Sequence, residues 1–314
     1  MGNLFSVVTE EQSRETLRYA FDHDLSYVDT APHYGAGLSE LRVGGLIREV
    51  GRERLVLSTK VGRRLHAGAQ STTQEGFVDA LPFTREFDYS FDGVMRSIDS
   101  SMARLGTDHF DLVFLHDLGE LTHGTDAERY LRQALDGGVK ALETLKSQGV
   151  IGAYGLGVNE TKIVSQFIEH ASLDVVLLAG RYSLLEQQEA LPLFAQLAPR
   201  NVRIVAGGIY NSGILAKGSR ALDAHYNYGS VPEPILQKVQ RLEAVCEAHG
   251  VSLQAAATQF CGLNPIVCSV LLGARSAEQL KTSLAWSKEP IDTEFWKALI
   301  EQGLIEAEGL EIND

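Results

Sequence analysis

Seven short apolar runs, rich in valine and leucine, alternate with helix-like segments along almost the whole chain, and this alternation constrains the fold more than any other feature. The runs lie at 25–30, 54–59, 110–115, 151–157, 173–178, 202–206 and 267–272. Near-continuous hydrophobic strands are covered on both faces, as in a parallel sheet flanked by helices. Helices are expected at about 9–24, 38–50, 90–105, 131–148, 160–170, 186–198, 234–249 and 252–262, with further helices to the end. Thr9 and Gln12 have the spacing of a capping box opening the first of these. The stretches 61–90 and 207–233 show no clear period. No linker or composition shift divides residues 1–314, which read as a single domain.

The expected class is therefore α/β, and specifically a (β/α)8 TIM barrel. A closed barrel needs eight strands, and the simplest place for the missing one is upstream of Met1. The expectation is a barrel whose first strand is absent from this sequence. A doubly wound open sheet is the structural alternative. It carries a three-glycine fingerprint after its first strand, whereas Gly155-Leu-Gly157-Val-Asn-Glu160 supplies only two glycines. The open sheet is rejected on that ground.

Three of the apolar runs end abruptly in titratable side chains. The segments are Leu25 to Gly35, containing Asp29 and Tyr34; Arg54 to Lys60; and Phe110 to His116. In a parallel barrel the C-terminal strand ends open on one face, where such enzymes do chemistry. A phenol has a pKa near 10, so Tyr34 needs a neighbouring ammonium to serve as a base. Lys60 could supply that charge, Asp29 could hold Lys60, and His116 could donate a hydrogen bond to a substrate oxygen. Taken singly, each has an ordinary structural explanation. Together, at successive strand ends, they form a proton-transfer site.

A net charge of −13 argues against a nucleic-acid partner. No apolar run reaches the roughly 18 to 20 residues of a membrane span. Cys246, Cys261 and Cys268 are odd in number and unpaired in spacing, which suits thiols in a reducing compartment. The reading is a cytoplasmic protein with no metal and a small-molecule partner. The sequence does not set its oligomeric state.

The chain resembles the aldo-keto reductase superfamily. The likeness rests on Asp29-Thr-Ala-Pro-His-Tyr-Gly35 with Ser39-Glu40, on Thr59-Lys60-Val61, on Ser100 to Gly106 running into Asp111 to His116, on Gly157-Val-Asn159, and on Leu271 to Arg275. It implies an NAD(P)-dependent oxidoreductase in which Asp29, Tyr34, Lys60 and His116 are the catalytic tetrad and Tyr34 is the general acid/base. It also implies that Asn159 meets the nicotinamide carboxamide, Ser212 and Gly213 the pyrophosphate, and Gly273, Arg275 and Gln279 the adenosine end. Two positions depart from the pattern. Ala179 stands where a glutamine is usual, and Gly207-Gly208 where a tyrosine stacks on the nicotinamide; Tyr182 or Tyr210 could compensate. Gln279 is neutral where NADP-dependent members carry an arginine, which tilts the expectation to NAD.

Phe87 to Ser97 and the His116-Asp117 pair resemble the sugar-dehydrogenase branch, which holds D-threo-aldose 1-dehydrogenases and pyridoxal 4-dehydrogenases. This implies oxidation of an aldose hemiacetal at C1 to a lactone, with pyridoxal oxidation as the alternative. Arg63, Arg64, His66, Phe87, Tyr89 and His123 could line such a sugar pocket. A non-catalytic, cofactor-binding regulatory protein is the reading from another class. A pure binder needs no proton donor, and the intact tetrad counts against it.

Overall fold

The computed structural model describes residues 1–68, 73–74, 76–227 and 229–312. The chain folds as two compact units. One comprises Met1–Val158, Gln166–Val175 and Ala274–Leu280; the other comprises Asn159–Ser165, Val176–Gly273 and Lys281–Asp314. The parallel strands are β1 (Tyr27–Asp29), β2 (Val56–Val61), β3 (Phe110–His116), β4 (Ile151–Val158), β5 (Val175–Ala179), β6 (Arg203–Gly207) and β7 (Val267–Val270). Within each unit the strands follow chain order. All seven fall where the apolar runs place them, within a few residues at each end.

In the first unit β1 pairs with β2, β2 with β3 and β3 with β4, all parallel. Leu57, Val113, Phe114, Leu115 and Leu156 on these strands are fully buried, each worth about 1.5–3 kcal/mol of transfer free energy. The glycines of β4 have a packing role. A Cβ at position 155 would lie 1.6 Å from the Val175 carbonyl oxygen, and one at 157 would lie 3.5 Å from Lys60 Cε. The first allows close backbone approach; the second borders Lys60, its tightest neighbour being Phe114 Cβ at 3.2 Å.

The helices of this unit start as the sequence predicts. The Thr9 side chain accepts from the Gln12 amide at 3.1 Å while Gln12 accepts from the Thr9 amide at 3.0 Å, closing the capping box of helix Glu10–Asp22. Ser90 caps helix Phe91–Leu105 by accepting from the Gly93 amide. The helix expected at 131–148 instead begins at Ala127 and contains a π-turn at Ala134–Gly138 before resuming over Val139–Ser147. Its two glycines are closely packed: a Cβ on Gly137 would meet the Phe91 nitrogen at 2.6 Å, and one on Gly138 the Tyr89 carbonyl oxygen at 2.7 Å. The helix thus presses on the 89–91 backbone, next to the site.

The stretch 61–90, which shows no clear period in the sequence, contains an antiparallel hairpin. Arg63–Ala67 pairs with Phe83–Phe87, with Arg63 opposite Phe87. In the second unit, β6 pairs parallel with β7. Helix Glu233–His249 and helix Leu253–Phe260 lie close to the expected bounds. No helix among the described residues is long and apolar enough to cross a membrane.

Candidate active site

Asp29 ends β1, Lys60 is the penultimate residue of β2, and His116 ends β3. Strand register sets their depth, with Asp29 opposite Ser58, Lys60 opposite Phe114 and His116 opposite Gly157. Tyr34 lies in the turn after β1, where Gly35, Ala36 and Gly37 all take positive φ. This turn is clamped from one side. A Cβ on Gly2 would approach the Tyr34 carbonyl carbon to 2.6 Å, so only glycine lets the 1–8 segment lie there. Buried Arg42 fixes that segment, donating to Asn3 Oδ1, the Val8 carbonyl and Glu10.

Lys60 Nζ donates to Asp29 Oδ2 at 2.5 Å and to the Thr30 carbonyl at 3.0 Å. The other Asp29 oxygen accepts from Ser58 Oγ at 2.6 Å, which Tyr27 OH contacts at 3.1 Å. Burial opposes the Lys60 charge, but Asp29 and Tyr34 outweigh it and raise its pKa. The ammonium also lies 4.6 Å from the centroid of the Tyr34 ring, and its charge acts on the phenol. Lys60 is therefore a permanent cation at physiological pH.

Tyr34 differs from the sequence expectation. It is part-buried. Desolvation raises its pKa, Lys60 pulls it back, and the net shift is upward. Part of the ammonium's field is spent on Asp29, so it does not offset the full cost of burying a phenolate. In the chain alone, Tyr34 is a neutral acid.

His116 stacks edge-on against Tyr34, with ring centroids 5.8 Å apart, and is buried. Burial, Arg63, Lys60 and His33 together hold its pKa well below the ordinary imidazole value. It is neutral. Its Nε2 lies 3.4 Å from Asp117 Oδ2, and a carboxylate there favours the tautomer with the proton on Nε2. Tyr89 OH donates to the His116 carbonyl at 2.6 Å and fixes the end of β3.

The structure thus brings Asp29, Tyr34, Lys60 and His116 together in one unit. It sets beside them Asp117, read from the sequence only as part of the His116-Asp117 pair, and Arg63, read as a possible sugar-pocket residue. Arg63, buried at the start of the hairpin, donates from Nη2 to Asp117 Oδ2 at 2.7 Å and stacks on Phe87. Of the other loop residues, Phe87 and His123 pack edge to face at 4.4 Å. Arg64 and His66 are instead engaged by hairpin acids, Asp88 and Glu86.

The chain matches the Aldo/keto reductase family over residues 2–302. It belongs to that family. Among curated proteins it is 39% identical to pyridoxal 4-dehydrogenase of Microbacterium luteolum, over 97% of this chain and 92% of the relative. It is 35% identical, with the same coverage, to D-threo-aldose 1-dehydrogenase of a Pseudomonas species. A solved aldo-keto reductase from Bacillus halodurans, in its holo form, superposes with a TM-score of 0.71 at 23% identity, covering 99% of this chain and 92% of that one. The fold is the (β/α)8 class, and the protein is an NAD(P)-dependent oxidoreductase.

The residues expected to hold a nicotinamide dinucleotide are compatible with it. Ser212 and Gly213 lie in the turn Asn211–Gly213 with φ of 61° and 111°, and nothing lies within 4 Å of a Cβ built on Gly213 or on Gly273. Such open backbone admits a phosphate without a side chain in its way. Asn159 follows β4 directly, its carbonyl accepting from Arg181 Nε at 2.7 Å. Arg275 is exposed and donates to Ser6 Oγ at 3.0 Å, while Gln279 spends its amide oxygen on the Arg275 backbone. Tyr182 does not replace the missing stacking tyrosine. It is fully buried between Phe194 and Phe260. Tyr210 bonds Thr258 at 2.8 Å and packs edge-on to Trp286.

Proposed function

We propose that this aldo/keto reductase oxidises an aldose in its hemiacetal form at C1 to the lactone, with Tyr34 as general acid/base. The carrying observation is the Lys60 ammonium, fixed by Asp29 and lying 4.6 Å from the centroid of the Tyr34 ring, beside a neutral His116. A bound nicotinamide supplies hydride exchange with the substrate carbon. Tyr34, as phenolate, takes the anomeric hydroxyl proton in oxidation and, as phenol, returns it in reduction. Lys60 stabilises the phenolate and Asp29 holds Lys60 in place. His116 turns its Nε2 proton, which faces Asp117 in the chain alone, toward the same substrate oxygen and orients it.

Asn159, Ser212, Gly213, Gly273, Arg275 and Gln279 are assigned to the cofactor. NAD is favoured over NADP. The segment around Arg275 carries one cation against Glu278, and Gln279 adds no charge for a 2′-phosphate. The family match runs across both units, which supports reading residues 1–314 as a single domain. The three cysteines are free thiols, which suits the cytoplasm.

A second reading draws on the higher identity to pyridoxal 4-dehydrogenase. Pyridoxal closes on its own hydroxymethyl group to a cyclic hemiacetal, so the same proton and hydride movements yield a lactone. Initial rates on L-fucose, D-arabinose and pyridoxal, each with NAD and NADP, separate the two. Oxidation of pyridoxal alone transfers the assignment to the second reading, and oxidation of none of them overturns both.

A further inference from the structure

The strongest unassigned feature is the ion pair set against the proton-transfer residues. Asp117 follows His116 with φ of 49°, a left-handed conformation that non-glycine residues adopt only when their surroundings demand it. Its backbone is held on three sides. The Asp117 amide donates to the Gly157 carbonyl at 2.9 Å, and Tyr89 OH contacts the Asp117 carbonyl at 3.2 Å and that of His116 at 2.6 Å. Its carboxylate lies 2.7 Å from Arg63 Nη2 and 3.4 Å from His116 Nε2. Arg63 is itself held by stacking on Phe87 and by contact with the His33 ring at 3.3 Å. The Asp117 charge also reaches Tyr34. A carboxylate 3.4 Å from His116, whose ring packs edge-on to Tyr34, lies on the side of the site where the reacting oxygen is placed, and Arg63 offsets the cost of placing it there.

An ionised carboxylate accepts hydrogen bonds and donates none. Next to His116 Nε2, the substrate group it can bind is a hydroxyl donor on the atom adjoining the reacting carbon. Neighbouring oxygens of a polyol are spaced to meet two such protein groups at once.

We propose that the Arg63–Asp117 pair is a specificity element that selects substrates bearing a hydroxyl next to the reacting carbon. Asp117 accepts that hydroxyl, and Arg63 aims and compensates the carboxylate. This deepens the functional reading above and rests on it for the place of the substrate oxygen. It names 2-hydroxy aldehydes and their hemiacetals as the substrate class. A plain aldehyde in the same position would leave the part-buried carboxylate facing a carbon, which is where discrimination arises.

The test compares lactaldehyde with propanal in the reductive direction, and L-fucose with 2-deoxy-L-fucose in the oxidative one. In the native protein kcat/KM should favour each hydroxylated substrate by about 10- to 100-fold, the range of a hydrogen bond to a charged group. Asp117→Gly accepts the positive φ without strain and removes the carboxylate; its preference should fall to near unity. Asp117→Asn keeps an acceptor and should retain part of the preference. Arg63→Met, checked for folding by its melting curve, should weaken the preference through KM rather than kcat. A preference that survives intact in Asp117→Gly overturns the proposal, as does native protein with no preference. Reduction of lactaldehyde over propanal without turnover of any sugar or pyridoxal would leave this inference standing and sink the functional reading. Inactivity on all four substrates would sink both.

Discussion

The ammonium of Lys60 and the carboxylate of Asp29 meet at 2.5 Å with 2% and 10% of their side chains exposed. Neither would be tolerated there without the other, because an isolated charge at such depth costs several kcal/mol. The pair joins β1 to β2 at the level where Tyr34 hangs over both. Asp29 is thus a positioning residue: it keeps Lys60 charged, and Lys60 acts on the phenol.

Asp29→Asn preserves shape and an acceptor for Ser58 but leaves the ammonium without its counter-charge. Breaking one side of a buried pair costs about 3–5 kcal/mol, so the unfolding free energy from urea titration should fall by that order. With Lys60 less able to stay protonated, the oxidative rate should fall as well. A variant as stable and as active as the native protein would show that Asp29 does not hold Lys60 charged.

Tyr34→Phe removes the proposed proton carrier and leaves the ring, and kcat should fall by about 100- to 10,000-fold with the melting temperature little changed. The pH dependence has a definite sign. Burial raises the phenol pKa, more than Lys60 lowers it, so the base form gains population only as pH rises. Oxidation should therefore accelerate into the alkaline range, while reduction, which uses the neutral phenol, should be flat through neutrality and fall only above it. Opposite slopes would mean another group handles the proton.

Three imidazoles near the site are depressed in the fold. His33 is lowered to about 2 by burial with Arg63, Arg85 and Lys60, His123 to about 4 by burial and Arg63, and His116 well below 6.5. Each binds a proton more readily in the unfolded chain than in the folded one. Their contribution is intact above pH 6.5 and drains away as pH falls from there toward the folded values. Melting temperature followed from neutral pH down to about 4.5 should drop steeply. His33→Gln, which can still accept from Arg63, should drop less. Parallel curves for the two proteins would remove His33 from this account.

Much of this was legible in the sequence because the signals were local. An unbroken apolar run marks a strand buried on both faces, and the residue that ends it marks the strand end, which is how Asp29, Lys60 and His116 could be read together. Thr9 and Gln12 carried their helix start in four residues. Three features were not legible. The hairpin Arg63–Ala67 is charged and half-exposed, and its partner strand lies some twenty residues away, so no short window holds both. The Arg63–Asp117 contact joins residues separated by 54 positions. The direction of the Tyr34 shift depended on two opposing quantities, of which only the charge can be read from a one-dimensional pattern. Packing density around the oxygen has no sequence signature.

Gly62 links the fold to the chemistry most directly. It takes φ of 102°, and a Cβ there would come within 2.1 Å of Tyr89 Cε1 in the middle of the ring. That ring has no room to retreat: it is fully buried, and Gly138 brings the helical backbone against the Tyr89 carbonyl. Gly62→Ala therefore combines an unfavourable backbone angle with displacement of Tyr89, and should cost about 1–3 kcal/mol or more in stability. It should also loosen the end of β3, since Tyr89 OH anchors the carbonyls of His116 and Asp117. Tyr89→Phe separates the two effects. It keeps the ring and removes only the hydroxyl, so it should cost about 1 kcal/mol while still lowering kcat through a less fixed His116. If Tyr89→Phe turns over like the native protein, the anchor is structural alone, and any activity lost in Gly62→Ala must be attributed to the ring's displacement.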